Sequence, residues 1–276
     1  MLIASEKVLS RTESSLDCRP KAMNVAGVSV VPFESYDQAL ACIEHAVDCH
    51  EKTFWVAINP QKCFRAWHDR SLLDILNNRA DVGICDGVGV SVASRILYGH
   101  GIERCTGCDL FFKILPLAAR KGWGMFMLGA SPESNAKAQE NLKTRFPGLR
   151  IVGSHDGFFE DSDAVVDEIN ASGADLLFVA MGSPKQEYWI SEHRDHIHAS
   201  FCMGVGGSFD VASGTISRAP AFFRRTGTEF LYQLVTEPHR WKRQKVYFPF
   251  MLKVIARRLA GSGRSAQWAA KAVRQS

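Results

Sequence analysis

The chain has 276 residues, of which 46% are hydrophobic and 22% charged, a composition typical of soluble globular proteins. Its apolar runs fall far short of the roughly 20 residues that cross a bilayer, and its first 30 residues carry charges instead of the apolar core of a secretory signal. We therefore expect neither a membrane-spanning helix nor a signal peptide. The eight cysteines are too dilute for a disulfide scaffold, so we expect free thiols in a reducing compartment.

The charge is distributed unevenly along the chain. The formal net charge of +4 divides into −7 for residues 1–217 and +11 for residues 218–276, where 13 Lys and Arg face two Glu. Aromatic residues alternate with these cations, and a plain solvated helix face would mix charges of both signs. Anionic lipid headgroups, a diphosphate substrate and nucleic acid all fit this pattern. Aromatic rings beside cations favour the membrane interface, and no nucleic-acid motif accompanies them, so we expect no nucleic acid.

Residues 1–24 are polar and irregular, which predicts a flexible N-terminal extension. Residues 25–217 then alternate short β-rich runs with helical patterns. Strands are predicted at 27–33, 54–58, 82–85, 124–128, 150–152, 175–181 and 200–203. Helices are predicted after a Ser35 cap and at 88–97, 109–120, 132–145, 163–171 and 184–196. This alternation indicates an α/β domain with a Rossmann-like, mostly parallel sheet and helices on both faces.

The basic segment 218–276 lacks this alternation and predicts a C-terminal helical appendage. Its pattern suggests at least two amphipathic helices, broken near Glu237-Pro238 and near Pro249. Residues 260–276 are more polar and predict a tail.

Two strand-to-helix turns resemble each other, at residues 128–133 and 181–186. Each combines a Gly for a tight turn, a Ser placed to cap the helix and a Pro for the first helical position. Two ordinary capped helices would explain both turns. Ligands of open α/β sheets nevertheless bind at such turns, where helix N-termini favour anions. Neither turn is a G-x-G-x-x-G or P-loop sequence, so a generic dinucleotide site is not indicated.

Several polar residues in these loops are candidates for chemistry. Asp86 follows a buried strand and precedes a glycine, which suits either a helix cap or a general base. Asp109 is a natural N-cap, and Arg104 before it could hold a phosphate or pair with an acid. Gly204, Gly206 and Gly207 allow close backbone approach to a ligand, and Asp210 could accept hydrogen bonds from a base or ribose. With the basic segment behind it, this loop indicates a diphosphate-bearing ligand.

A single C-x-x-C, Cys105 and Cys108, lacks the second pair or His-x3-His that would complete a metal site. A metal or redox role is therefore disfavoured.

The most specific motifs occur in a recognisable order. They are Gly153-Ser154-His155-Asp156-Gly157-Phe158-Phe159, the segments 180–187 and 204–210, Arg218-Ala219-Pro220, and Glu237-Pro238-x-Arg240-x-x-Arg243. With these, the chain resembles the WecG/TagA/CpsF glycosyltransferases from about residue 27 to residue 249, and segment 153–210 is nearest to the UDP-N-acetylmannosaminuronic acid transferase branch.

The resemblance implies an inverting, metal-independent transfer to a polyprenyl-diphosphate-linked saccharide in surface polysaccharide synthesis. The donor would be a UDP-sugar of the N-acetylmannosaminuronate, N-acetylmannosamine or glucose type, and it would be a substrate, so no cofactor or metal is expected. The enzyme would lie at the cytoplasmic face of the bacterial plasma membrane. Oligomeric state is left open, including a homo-oligomer.

The resemblance also implies roles for individual residues. Asp86 would be the general base, with Asn59, Arg104 and Gln186 around the sugar and acceptor. The nucleotide and diphosphate would contact Gly182, Ser183, Lys185, Gly206, Gly207, Asp210, Arg218, Arg225, Arg240 and Arg243, with the arginines closing over the departing UDP. Ala57 stands where many family members have Thr, so a hydroxyl there must be absent or come from elsewhere, such as Thr106. This departure leaves one alternative, a catalytically impaired nucleotide-binding scaffold of a membrane polysaccharide complex.

Overall fold

A computed structural model describes residues 19–220, Phe223 and residues 245–273, with side chains described as far as residue 260. The described chain begins with an antiparallel hairpin, β1 (Met23–Val25) and β2 (Val28–Val30). The sequence predicted one strand over 27–33, and this is wrong because Gly27 has a φ of +100° and turns the chain between two short strands.

The prediction of a parallel α/β sheet is confirmed. Six parallel strands form it: β3 (Thr53–Ile58), β4 (Val82–Cys85), β5 (Gly124–Gly129), β6 (Arg150–His155), β7 (Leu176–Ala180) and β8 (Phe201–Gly204). Their spatial order is β4-β3-β8-β7-β5-β6. Every residue of β3, β7 and β8 is buried, as expected for strands that helices cover on both faces. The hairpin joins the edge beside β4 through the Val31 N–H, which donates to the Gly83 carbonyl (2.8 Å).

Helices cover both faces of this sheet. In chain order they are α1 (Tyr36–Asp48), α2 (Pro60–Ala66), α3 (Arg70–Asp74), α4 (Val88–Tyr98), α5 (Gly107–Lys121), α6 (Pro132–Arg145), α7 (Ser162–Ala171), α8 (Lys185–His193), α9 (Ser208–Ser213) and α10 (Tyr247–Val273). A π-helical turn, Ile75–Arg79, follows α3. The sequence analysis missed α2, α3, α9 and this turn. The Ser35 cap of α1 is confirmed, since its side chain accepts the Gln38 N–H (3.2 Å).

The two faces have separate cores because alternate strand residues point to opposite sides. Phe54, Val56 and Ile58 pack with the buried residues of α2, α3, α4, α7, α8 and α10. Trp55 and Ala57 pack on the other face with those of α1, α5, α6 and α9.

The C-terminal helix α10 packs on α4 and α2. Phe250 and Val254 are fully buried, and the Phe250 ring stacks on Trp67 with 5.8 Å between centroids. The break predicted near Pro249 agrees with the start of α10 at Tyr247, after a turn at 245–246, and Pro249 lies in the first helical turn, where a proline costs no helical hydrogen bond. The prediction of a tail over 260–276 is wrong, because the helix continues to Val273.

No helix in the described part of the chain is both long and apolar enough to cross a membrane.

Candidate active site

Four neighbouring strands place the candidate residues along one edge of the sheet. Asp86 follows β4, Asn59 follows β3, Gly206 follows β8 and Gly182 follows β7. Because these strands are parallel and adjacent, residues more than 100 positions apart in sequence meet at the carboxyl edge. This edge is where ligands of open α/β sheets bind.

The Asp86 carboxylate receives hydrogen bonds from two directions. Asn59 is the N-cap of α2, and its Oδ1 accepts the Lys62 N–H (2.9 Å), which turns its Nδ2 toward Asp86 Oδ2 (3.3 Å). The Gly107 N–H at the start of α5 donates to Asp86 Oδ1 (3.4 Å). The sequence left two roles open for Asp86, helix cap and general base. The structure disfavours the first, because the N-cap of α4 is Gly87 and the side chain of Asp86 does not cap this helix.

Burial raises the pKa of Asp86. The hydrogen bonds from Asn59 and Gly107 and the positive charge of Lys62 oppose this rise, while the charge of Asp109 adds to it. A carboxylate with a raised pKa accepts a proton more readily near neutral pH. Asp86 is only half-buried by its surface exposure, so a reacting group can approach it.

A second network joins α2 to the loop after β8. Lys62 Nζ lies 2.7 Å from Glu187 Oε1, and both side chains are almost fully buried. Gln186 Nε2 donates to the same Glu187 oxygen (3.0 Å), and Gln186 Oε1 accepts the Gly206 N–H (3.1 Å). Gln186 is thereby held with its amide between the buried ion pair and the glycine loop.

The turn after β7 is open to solvent. Gly182, Ser183 and Lys185 are exposed, and two cations flank the turn. Arg65 Nη1 donates to the Ser183 carbonyl (2.7 Å), and Lys185 Nζ donates to the Gly157 carbonyl (3.4 Å). The predicted Ser183 cap is wrong, because Pro184 separates Ser183 from α8 and no side chain caps that helix. In the corresponding turn after β5, Ser131 does cap α6, as predicted.

Asp210 lies in the first turn of α9, directly after the glycine loop. Its Oδ1 accepts a hydrogen bond from the Ser134 hydroxyl of α6 (2.7 Å). Gly206 has a φ of +53°, so the loop uses a backbone conformation that favours glycine. Gly207, the N-cap position of α9, is exposed.

Arg104 lies half-buried in the segment that leads into α5. Burial raises the pKa of the Cys85 thiol, and the charge of Arg104 acts against that rise. Arg104 therefore lies within electrostatic range of the strand end that carries Asp86.

The cap of α5 differs from the prediction. Thr106, and not Asp109, is the N-cap: its Oγ1 accepts the Asp109 N–H (3.2 Å) and donates to Asp109 Oδ2 (2.9 Å). The Thr106 hydroxyl, considered as a substitute for the one missing at Ala57, thus serves this cap. Arg218, expected at the diphosphate, pairs with Asp109 Oδ1 (2.6 Å).

The remaining predicted cations, Arg225, Arg240 and Arg243, lie outside the described residues. The same C-terminal segment nevertheless contributes Tyr247, which begins α10 beside Gly89 of α4. Burial, with a contribution from the charge of Asp86, raises the pKa of Tyr247 to about 12. A phenol from the appendage therefore lies near the candidate base.

The cysteines are free thiols in the described residues, and most are buried. Cys105 and Cys108 belong to no group of three or more potential metal ligands within the described ranges.

Sequence reasoning missed Lys62, Gly107 and Tyr247 and gave Glu187 no role. A signal for Lys62 was present, since Asn59-Pro60 is an N-cap followed by a first-turn proline. That pattern predicts a helix start but does not show that the lysine two positions later is buried.

Comparison with known proteins shows the family of this chain. Residues 23–264 match the family described as "Glycosyl transferase WecG/TagA/CpsF family". A protein of Bacillus spizizenii named N-acetylglucosaminyldiphosphoundecaprenol N-acetyl-beta-D-mannosaminyltransferase is 38% identical over 197 residues, 71% of this chain and 76% of the relative. A Bacillus subtilis protein of the same name is 32% identical over 212 residues, 77% of this chain and 82% of the relative.

Proposed function

Because the chain belongs to the WecG/TagA/CpsF family of glycosyl transferases, we propose that it transfers N-acetylmannosamine from a UDP-sugar to a polyprenyl-diphosphate-linked saccharide in surface polysaccharide synthesis, with inversion and without a metal ion. The observation that carries this proposal is the Asp86 carboxylate, held by Asn59 and Gly107 at the carboxyl edge of the sheet. Its raised pKa and its partial exposure suit a general base for an acceptor hydroxyl.

The relatives' names support one of the three donor types expected from sequence. Both name an N-acetyl-mannosaminyl transfer and an N-acetylglucosaminyl-diphospho-undecaprenol acceptor. We therefore favour N-acetylmannosamine over the uronic acid and glucose donors, and a lipid-linked N-acetylglucosamine as the acceptor.

In the proposed reaction, Asp86 accepts the proton of the acceptor hydroxyl as the hydroxyl oxygen attacks the anomeric carbon. The bond between that carbon and the diphosphate oxygen breaks on the opposite face, so the configuration inverts and UDP leaves with the bonding electrons. Asn59 and Gly107 keep the carboxylate oriented during this step. Gln186, fixed between Glu187 and Gly206, would border the sugar.

Positive charge from the protein would stabilise the departing diphosphate. Lys185 and Arg65 lie beside the exposed turn after β7, and the segment 218–276 carries a net charge of +11. We propose that these cations, including Arg225, Arg240 and Arg243, act where many nucleotide-sugar enzymes use a metal ion.

An apolar stripe on α10 supports attachment to the membrane surface. Phe248, Leu252, Ile255 and Leu259 are 72%, 52%, 44% and 68% exposed. Their spacing of four, three and four residues places them on one helix face, opposite the buried Phe250 and Val254. We propose that this stripe enters the interface of the cytoplasmic leaflet, where the basic segment meets anionic lipids.

The experiment that tests the proposal offers the purified chain UDP-N-acetylmannosamine, its uronic acid analogue and UDP-glucose, in the presence of EDTA, with a polyprenyl-diphosphate N-acetylglucosamine acceptor. We expect UDP release and a disaccharide product, read by mass spectrometry, with the first donor. Asp86→Asn should lower kcat by about 10²–10⁴ and leave UDP binding intact. Asp161→Asn is the matched control, because asparagine retains the N-cap of α7 far from Asp86.

Each part of the proposal has a contrary outcome. Turnover by Asp86→Asn at the wild-type rate would remove Asp86 from the role of base. A requirement for magnesium or manganese would contradict metal independence. UDP binding without turnover on any acceptor would support the scaffold alternative.

A further inference from the structure

The pair formed by Lys62 and Glu187 has features that stability does not explain. The two side chains are 4% and 1% exposed, so both charges have lost their hydration. Apolar residues of similar size often replace buried ion pairs with no loss of stability. In addition, Glu187 Oε2 is buried and has no hydrogen-bond partner within the described residues.

Each end of the pair is bonded to a different part of the candidate active site. On α2, the backbone N–H of Lys62 holds the Asn59 side chain, whose amide donates to Asp86. On α8, Glu187 holds the Gln186 amide, whose oxygen accepts the Gly206 N–H. The ion pair joins α2, which carries Asn59, to α8, which carries Gln186.

We propose that Lys62 is a positioning residue for glycosyl transfer: its buried ammonium, held by Glu187, fixes α2 against α8, and so fixes Asn59 and Gln186 relative to each other, and it supplies a positive charge near the Asp86 carboxylate. This inference rests on the proposed function of Asp86 as the base.

The direction of the electrostatic effect follows from the groups around Asp86. Lys62 and the hydrogen bonds from Asn59 and Gly107 stabilise the carboxylate, while burial and the charge of Asp109 destabilise it. Among the described residues, the other ionisable groups in this cluster are the Cys85, Cys105 and Cys108 thiols, the Tyr247 phenol, Arg104 beside Cys85, Lys113 near Cys105, and Arg218, which pairs with Asp109. The thiols and the phenol have raised pKa values and stay neutral near pH 7. Loss of the Lys62 charge therefore raises the pKa of Asp86.

The test compares the pH dependence of kcat/KM among four full-length proteins. Lys62→Met removes the charge and keeps the length of the side chain. Lys62→Met with Glu187→Met removes both charges and fills the same space, which guards against unfolding caused by an unpaired Glu187. Lys121→Met is the matched control, because Lys121 pairs with Glu44 and Asp48 at the surface, at the far end of α5. Thermal unfolding is measured for each protein.

We expect the acid limb of the kcat/KM profile to move to higher pH in Lys62→Met, with about a tenfold or greater loss of kcat/KM on that limb. The double variant should unfold near the wild-type temperature yet keep the shifted limb, and Lys121→Met should match the wild type in both. A double variant with the wild-type limb would show that the pair is only structural and would overturn the proposal, as would a folded Lys62→Met with the wild-type limb.

Asp86→Asn separates this inference from the function on which it rests. If Asp86→Asn is inactive and the limb of Lys62→Met is unchanged, only the role of Lys62 is wrong. If Asp86→Asn retains turnover, the proposed base is wrong as well.

Discussion

Gly204, the last residue of β8, is a sensitive test of how Gln186 is held. A Cβ atom at this position would lie 2.4 Å from Gln186 Nε2, 2.8 Å from its Cδ and 3.0 Å from its Cγ. These distances are well inside van der Waals contact, and they involve the stem of the side chain as well as its end. Gly204→Ala must therefore push the Gln186 amide out of its place between Glu187 and the Gly206 N–H.

The cost combines two effects. Overpacking a well-filled site destabilises a protein by about 1–3 kcal/mol, and the loss of both Gln186 hydrogen bonds adds about 2 kcal/mol. A total of roughly 3–5 kcal/mol lowers the melting temperature of a chain this size by roughly 6–20 °C. Since the displaced amide also leaves the site, we expect kcat/KM to fall beyond any loss of folded protein.

Gly124→Ala provides the comparison. Its Cβ would lie 3.0 Å from Val152 Cγ1, at the amino end of β5 and away from the candidate site. Both variants are assayed by circular dichroism on heating and by UDP release at a temperature where both are folded. Gly124→Ala should lose stability but keep kcat/KM. Gly204→Ala with the wild-type melting temperature and kcat/KM would refute the assigned place of Gln186.

Three further results are expected. Asn59→Ser keeps an N-cap oxygen but loses the amide donor to Asp86, whereas Asn59→Ala loses both. We expect kcat/KM to fall about ten- to a hundredfold in each, and urea unfolding should show about 1 kcal/mol more lost stability in the alanine variant than in the serine variant. Serine at Phe248 and Leu252, both exposed on α10, should reduce sedimentation with anionic vesicles at an unchanged melting temperature, and undiminished sedimentation would contradict the membrane role of the stripe. Asp86→Asn should unfold at the same or a higher temperature at neutral pH. The pKa of Asp86 is higher in the folded state than in the unfolded state, so the free energy of unfolding falls as pH rises from the unfolded-state pKa to the folded-state pKa. Above the folded-state pKa the full loss of stability remains. Asparagine does not ionise, so the Asp86→Asn variant avoids this loss.

The sequence predicts the sheet well because its strands have an unambiguous pattern. β3, β7 and β8 are continuous apolar runs between glycines and polar turns, and covered parallel strands require such runs. One error occurs where two neighbouring residues could serve the same purpose. Thr106 and Asp109 are both good N-caps three positions apart, and only the structure shows that Thr106 caps α5 while its hydroxyl also donates to the Asp109 carboxylate.

The sequence predicts a site residue correctly where both its chemical type and its place at a strand end point to the same role. Asp86 ends a buried strand before a glycine, and the structure gives it hydrogen bonds and a raised pKa. Lys62 could not be found in this way, because a lysine in an amphipathic helix start is ordinarily exposed and its partner Glu187 is 125 positions away. The burial of that pair depends on the packing of α2 against α8, and the local sequence pattern of neither helix contains this information.

The order of the strands places the proposed base and the flanking cations at opposite ends of the candidate active site. Asp86 follows the edge strand β4, and the exposed turn at Gly182 follows β7, three strands away. At about 4.8 Å between neighbouring strands, this separates the proposed base from the turn by about 14 Å. Asn59 and the glycine loop, which follow β3 and β8, lie between them. With the acceptor hydroxyl at Asp86, the donor sugar would lie along this edge with its diphosphate directed toward Lys185 and Arg65. The proposed proton acceptor and the cations would then act on opposite sides of the anomeric carbon.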